Sequence, residues 1–301
     1  MGILSNELLL EKGLRAAFLK SFESQESPAD IMGMVMTASS TANEEKYGWL
    51  GEVPQLREWL DERQLSGLQD FDFTIPNRDY ESTLKVDRNT RDDDQLGAIN
   101  IRISDLAKRA KTHPRKLFFD LILAGEVDLA YDGVPFFSAS HPESGVNQSN
   151  IVTGTSGGPY TTAQFAADFT TARARLRGFT DDQGEPINDG SDLNMRVVIP
   201  EQLETVADEI LEATLISNNT NVLKGAAKKT VSSRLDSSDD WYLAVEMGGV
   251  RATIMQTRQP VRFEALEKGE RAFMRKHLLF GVDYRVGFGF GRWQKMIKIN
   301  N

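Results

Sequence analysis

Tyr47-Gly-Trp-Leu-Gly-Glu-Val-Pro-Gln-Leu-Arg-Glu-Trp59 sets large aromatics among two glycines, a proline and three charges. A segment that folds into a core repeats its apolar residues every two positions in a strand or about every 3.6 in a helix. Neither period holds here for more than a few positions. Rigid rings give contact area at small entropic cost and arginine adds a planar fork, so the stretch suits contact with another surface. The alternative is a packed loop beneath a domain, and the residues by themselves leave both readings open.

Upstream, Leu8, Leu9, Phe18, Leu19 and Phe22 interleave with Glu7, Glu11, Lys12, Arg15 and Lys20, which predicts a helix capped by Ser5 and weakened at Gly13. From Phe22 to Asn43 the composition turns to Ser, Thr, Glu, Gly and Met. An extended or loosely structured arm is expected there, fraying or lying on a neighbour. Downstream, Phe71, Phe73 and Ile75 alternate with polar residues, Pro76-Asn77-Arg78-Asp79 supplies turn chemistry, and Tyr80, Leu84 and Val86 alternate back. A hairpin is expected. Its far arm, from Tyr80 to Asp94, is rich in charge, and such a two-stranded ribbon is marginal without a partner to lie on.

Two helices are expected next, one from Ser104 through Leu106, Ala107 and Ala110, the other through Leu117, Phe118, Leu121 and Ile122 to Gly125. The break falls at Thr112-His113-Pro114. Asp132-Gly133 reads as a turn, and Ser138 to Tyr160 as a long loop. Thr161 caps a third helix that ends at Arg173, Arg175, Arg177 and Gly178, with positive charge placed to complement the helix dipole. After an acidic loop from Asp181 to Asp192, Asn194–Pro200 reads as a strand entering a helix over Glu201 to Ile216. Short strands are expected at Trp241–Val245 and Val261–Phe263, and a helical or irregular return from Arg271 to His277.

The cleanest alternation comes last. Val282, Tyr284, Val286, Phe288 and Phe290 share one face of a long strand, and Gly281, Asp283, Arg285, Gly287, Gly289 and Gly291 the other. The bare glycine face predicts close approach by another backbone or side chain, with the strand continuing toward Trp293, Ile297 and Ile299.

The chain has 301 residues, 40% hydrophobic and 26% charged, the composition of one large globular domain or two modest ones. Its net charge of −9 disfavours general attraction to phosphates or an anionic membrane. With no cysteine there is no disulfide framework, thiolate cage or cysteine nucleophile. The apolar run at the N-terminus carries Glu7 and Glu11 and lacks a basic leader, and no window is apolar enough for a membrane span. A cytoplasmic protein is expected.

Catalytic patterns are scarce. His113, His141 and His277 lie far apart and none begins a metal-binding spacing. Ser138-Ala-Ser-His-Pro142 places two hydroxyls beside an imidazole, although sequence neighbours seldom form a nucleophile and base pair. Gly287-Phe-Gly289-Phe-Gly291 departs from the dinucleotide fingerprint by one residue and sits in a strand. The charged run Arg88 to Asp94 reads as a solvated face rather than a metal site, and so do Arg102, Lys108, Arg109, Lys111, Arg115 and Lys116 around the broken helix. A carboxylate-pair hydrolase is the enzymatic alternative, with nothing to select which two carboxylates. No catalytic residue, metal ligand or cofactor is expected.

The aromatic stretch Tyr47 to Trp59, Val86-Asp-Arg88 with Asp92 to Asp94, His113-Pro114, Tyr131-Asp-Gly-Val-Pro-Phe-Phe137 with His141-Pro142, and Val197-Val-Ile-Pro200 together resemble the major head subunit family of Mu-type phages and prophages. The resemblance implies an α+β capsid fold of the Hong Kong 97 type. Its implied parts are an N-terminal arm (1–45), an extended hairpin loop with flanking peripheral-domain strands (46–98), a peripheral domain with a spine helix (99–193), an axial domain (194–268) and a return strand of the peripheral domain (269–301). It further implies a major capsid protein that self-assembles, as hexamers and pentamers, into an icosahedral shell around double-stranded DNA held without sequence-specific binding. Scaffold, portal and decoration proteins are implied partners, no membrane is, and the location is the virion capsid after assembly in the host cytoplasm. Tyr47, Trp49, Leu56, Arg57, Trp59, Arg78 and Tyr80 become the subunit-interface candidates. An encapsulin-like compartment holding an enzyme cargo is the nearest alternative.

Overall fold

The computed structural model describes residues 3–25, 28–47, 73–87, 97–143, 145–156, 159–181, 184–190, 193–216, 219–235, 239–266 and 277–301. Helix α1 (Ile3–Ser24) and the one-turn helix α2 (Ala29–Met32) precede strands β1 (Val35–Ser39), β2 (Glu44–Lys46), β3 (Thr74–Pro76) and β4 (Arg78–Asp87). The long helix α3 (Gly97–Leu123) follows, then short strands β5 (His141–Glu143), β6 (Val146–Gln148) and β7 (Ile151–Thr153), helix α4 (Thr162–Arg177), strand β8 (Met195–Ile199) and helix α5 (Glu204–Leu211). Strands β9 (Leu215–Ile216), β10 (Asn219–Thr220), β11 (Lys228–Val231), β12 (Trp241–Val245), β13 (Thr253–Leu266), β14 (His277–Phe290) and β15 (Met296–Asn300) complete the chain.

Two sheets organise these elements. One runs β1-β13-β14-β4, with β1 parallel to β13 and the remaining pairs antiparallel. The other runs β11-β8-β12-β15-β7. Every residue of β8 and β12 is buried, as expected of central strands covered on both faces. Helix α4 packs on this sheet, and its start is fixed as the sequence predicts: Thr161 accepts from the Gln164 backbone N–H while the Gln164 side chain accepts from Thr161 N–H.

The glycine face of β14 behaves as its spacing predicts. A Cβ on Gly289 would stand 2.5 Å from Ile75 Cδ1, one on Gly287 2.8 Å from the Pro76 carbonyl oxygen, and one on Gly291 2.1 Å from the Arg251 carbonyl oxygen. Strand β3 therefore crosses directly over β14, which no side chain at those positions would permit. Beyond Phe290 the strand does not continue: Trp293–Lys295 form a 3-10 turn and β15 enters the other sheet.

Several expectations give way to tertiary contacts. Strands β3 and β4 flank Asn77 but do not pair with each other; β3 pairs with β2, and β4 pairs with β14 over ten registered positions from Arg78 to Asp87. The ten-residue ladder on β14 outweighs the local turn chemistry, so the hairpin expected around Pro76 to Tyr80 does not form. Nor do the described residues of the segment from Phe22 to Asn43 form the loose arm expected there. Ile31, Met34 and Val35 lie in the main core and β1 joins a sheet, while Leu14 and Phe18 of α1 pack with Ile99, Ile103 and Leu106 of α3. Ser5 lies inside α1 rather than at its cap.

Helix α3 is one 27-residue helix that starts at Gly97 and carries Pro114 within it. Proline deletes a backbone donor and costs about 3 kcal/mol in a helix interior, but buried anchors on both sides hold the two halves in line. The loop from Ser138 to Tyr160 contains the β5–β6 hairpin and β7. The helix expected over Glu201 to Ile216 is a 3-10 turn, Glu201–Leu203, followed by α5, and Leu215–Ile216 is strand. A boundary at 268 separates β13 from its own partner β14, and β15 lies beside β12. Of the return from Arg271, only His277, which opens β14, lies among the described residues.

Candidate assembly surfaces

The chain leaves the described fold at Tyr47 and rejoins it at Phe73, and these two ends are tied: Tyr47 N–H donates to the Phe73 carbonyl at 2.7 Å. A polar knot lies beneath them. The Tyr47 hydroxyl donates to Gln256 Oε1 (2.8 Å), and Gln256 Nε2 donates to the Ile75 carbonyl (2.7 Å) and Asn77 Oδ1 (3.0 Å). Asn77 Nδ2 in turn donates to Ser40 Oγ at 2.7 Å, and Ser40 Oγ donates to Glu45 Oε1 at 2.8 Å. The same Glu45 oxygen accepts from the backbone of Thr41 and Ala42, and the Ser40 hydroxyl with these two amides holds the carboxyl below its ordinary range.

Tyr47 is 4% exposed, and burial, with the nearby Glu45 charge, pushes its phenol up to about 12. Its ring is core within one chain, which corrects its reading as a surface contact; the hydroxyl finds a polar partner, as buried tyrosines require. Trp49, Leu56, Arg57 and Trp59 lie outside the described residues.

Arg78 is exposed, while Tyr80 is half-buried, stacked on Tyr284 with centroids 5.5 Å apart and set edge-on to His113 at 4.8 Å. Burial raises the Tyr80 hydroxyl. Both residues line a cleft of about 420 Å³ with Phe73, Ile75, Leu117 and Phe288. At its rim Leu129 is 55% exposed, and Val127, two residues earlier, is 77% exposed. These aliphatics were not singled out from sequence, although Glu126-Val-Asp-Leu129 alternates polar and apolar residues directly after the helix stop. A second apolar point is Val222, 87% exposed, shortly after β10.

His141 has a structural place. Its Nδ1 is 2.6 Å from Asp132 Oδ2, its Nε2 3.2 Å from Asn150 Oδ1, and its ring stacks on Trp293 at 4.0 Å. Ser138 and Ser140 bond each other, the Ser140 N–H donating to Ser138 Oγ at 3.1 Å. The arrangement is a buried tether between the Asp132-Gly-Val-Pro-Phe-Phe and His141-Pro segments, not a nucleophile and base. Asn150 extends it by donating to the carbonyls of Phe136 (2.7 Å) and Met296 (3.3 Å). Among the described residues no group of three or more His, Asp or Glu side chains is placed to hold a metal ion, and no described helix is long and apolar enough to cross a membrane. Arg88 to Asp94 lie outside the described residues.

A fold built from a long helix packed on a four-stranded sheet, with a second, five-stranded mixed sheet, is that of tailed-phage capsid proteins, the Hong Kong 97 type. A subunit of the bacteriophage JBD30 procapsid superposes with a TM-score of 0.56 at 24% identity, covering 97% of this chain and 75% of that one. A Pyrococcus furiosus virus-like particle superposes with a TM-score of 0.56 at 10% identity, covering 96% and 98%. The model of the Mu-like prophage major head subunit gpT family matches residues 8–165 and 225–301, and the chain belongs to that family. The Escherichia phage Mu major capsid protein is 30% identical over 151 residues, 47% of this chain and 50% of that protein. The chain spans about half the length of the curated relatives it matches. The family match breaks over 166–224, so Val197–Pro200 falls in the unmatched part while 225–269, which carried no quoted motif, is matched.

Proposed function

We propose that this chain is a major capsid subunit of a tailed phage or prophage, self-assembling through hexamers and pentamers into an icosahedral shell that encloses double-stranded DNA. The observation that carries the reading is the superposition of 97% of the chain on a phage procapsid subunit, within a family of head subunits rather than of enzymes. What remains unsatisfied in a single copy supports it. Val127, Leu129 and Val222 stand apolar in solvent. Repeated around closed symmetry, modest contacts of this kind build a stable shell.

In this reading residues 1–45 supply the arm, 46–98 the extended loop with its flanking strands, α3 the spine along the β1-β13-β14-β4 sheet, and 194–268 the axial domain. Trp49, Leu56, Arg57, Trp59, Arg78 and Tyr80 contact other copies. Scaffold, portal and decoration proteins are the further partners, and assembly takes place in the host cytoplasm before the subunit resides in the virion. A net charge of −9 keeps packed DNA from adhering to the wall.

Electron microscopy of the purified protein tests the reading: closed shells or curved sheets are expected, and a discrete small oligomer would overturn it. DNA inside particles formed during phage growth separates it from a cargo-storing compartment.

A further inference from the structure

Asp132, His141 and Asn150 meet where the chain crosses from one sheet to the other. Strand β14 ends at Phe290 in the four-stranded sheet, the turn Trp293–Lys295 follows, and β15 enters the five-stranded sheet. The His141 ring lies flat on Trp293 of that turn, with centroids 4.0 Å apart and planes within 8°. Both the His141 and the Asp132 side chains are buried.

Asn150 decides which ring atoms of His141 carry hydrogen. Its Nδ2 donates to the carbonyls of Phe136 (2.7 Å) and Met296 (3.3 Å), and its Oδ1 accepts from Ser138 N–H at 2.9 Å. Turning the amide over would set its oxygen against two carbonyls and its nitrogen against an N–H, so three backbone groups fix its orientation. His141 Nε2 stands 3.2 Å from that same Oδ1, an atom that only accepts, and Nε2 therefore carries a proton. On the other side, Nδ1 stands 2.6 Å from Asp132 Oδ2, and a carboxylate likewise only accepts. A neutral imidazole has one N–H and cannot serve both partners.

We infer that His141 is held as an imidazolium in the folded protein, a buried cation that clamps the crossing between the two sheets and keeps its second proton above neutral pH. The surroundings suit a cation. Trp293 offers its face at stacking distance, and indole is the best of the aromatic partners for a positive charge. Asp132 supplies the opposite charge, and its Oδ1 accepts from Val134 N–H at 3.3 Å. A buried ion pair offsets its desolvation only when the remaining donors and acceptors are also hydrogen-bonded, which the Val134 and Asn150 contacts provide. Of the other charges around the joint, Glu143 of β5 favours a cation and Arg292, just before the turn, opposes it; both act on the adjacent Tyr131. Lys295 of the turn directs its ammonium to Asn188 Oδ1 at 2.7 Å. The sign follows from the proton count. An unfolded histidine is neutral at pH 8, so unfolding releases the proton. The clamp therefore contributes fully in mild acid, and above about pH 6.5 the folding equilibrium constant falls by up to about tenfold per pH unit until the folded pair itself gives up the proton.

Nitrogen-15 NMR of the histidine side chains in the full chain, in solution or in sedimented assemblies, tests the inference. His141 is recognised among the three histidines by the contact of its ring with Trp293. At pH 8 it should show hydrogen on both ring nitrogens. Asp132→Asn keeps the shape and removes the charge, and should leave hydrogen on one. In urea titrations between pH 7 and pH 9 the wild-type folding constant should fall more steeply than that of Asp132→Asn, by up to about tenfold per pH unit. A single protonated ring nitrogen in the wild type at pH 8 overturns the proposal, and so does the same pH dependence in the wild type and a folded Asp132→Asn protein. If Asp132→Asn does not fold, the wild-type spectrum decides by itself. Neither measurement depends on shell formation.

Discussion

The Tyr47 hydroxyl donates to Gln256 Oε1 at 2.8 Å across 209 positions of sequence, and through Gln256 the same knot holds Ile75 and Asn77. Tyr47 on one side and Ile75 and Asn77 on the other are thus held to β13. Removing one partner of a buried hydrogen bond costs about 1–3 kcal/mol for each group left unpaired. Gln256→Ala orphans several groups and should lower the denaturant midpoint well below that of Tyr47→Phe, which should cost about 1 kcal/mol. Equal midpoints in the two variants would remove Gln256 from the centre of the knot.

The glycine face of β14 sorts its substitutions by what each Cβ would meet. At Gly289 the obstacle is the flexible end of Ile75, and at Gly291 it is the Arg251 backbone carbonyl. Overpacking of this type costs about 1–3 kcal/mol when a side chain can give way and more when backbone must move. Gly291→Ala should therefore be the more damaging, and Ile75→Ala should rescue Gly289→Ala but not Gly291→Ala. Melting temperatures of the single and double variants check the ordering.

Asp132 and His141 are a buried pair, 4% and 0% exposed at their side chains. Removing one partner of such a buried hydrogen bond costs about 1–3 kcal/mol because a polar group stays buried without its partner. Asp132→Ala should lose stability in that range by chemical denaturation, while Ser138→Ala and Ser140→Ala should stay close to wild type. Comparable losses in the serine variants would contradict the purely structural role given to His141.

Glu45 carries the pH dependence of the knot. Its carboxyl is held below the ordinary value of 4.5 by the Ser40 hydroxyl and the Thr41 and Ala42 amides. The stabilisation is present above the ordinary value and disappears as pH falls through the lower folded one. Between pH 6 and pH 3.5 the wild type should lose more stability than Glu45→Gln, measured as the change in urea midpoint; parallel losses would assign the acid sensitivity elsewhere.

Trp49→Ala, Trp59→Ala double substitution should leave soluble, folded subunits and fewer shells, counted by electron microscopy and sedimentation. Wild-type shell yield from the double variant would remove these tryptophans from the contacts between copies.

Period and chemistry at short range were readable in the sequence. Trp241–Val245 is the strand expected, Thr161 caps its helix through Gln164, and the glycines of β14 mark a close crossing. The family itself was legible from Tyr47 to Trp59 and from the Asp132 and His141 segments, and the family match covers both. Partnership at long range was not. Pro76-Asn77-Arg78-Asp79 has every residue of a turn, yet Asn77 is held by Ser40 and Gln256, and β4 finds its ladder on β14. Likewise Pro114 reads as a helix boundary because nothing local reveals the two cores that keep both halves of α3 aligned.

By itself, then, the sequence determined the most strongly periodic elements, where backbones must approach closely, and which family the chain belongs to. Those features depend on residue size, spacing and backbone preference, which act within a few positions. Only the tertiary structure decided that Tyr47 is core, that the N-terminal segment is part of a sheet, and that β3 and β4 part company at Asn77. These outcomes turn on competition between a local turn and a distant ladder or core, and the larger buried contact prevails over local propensity.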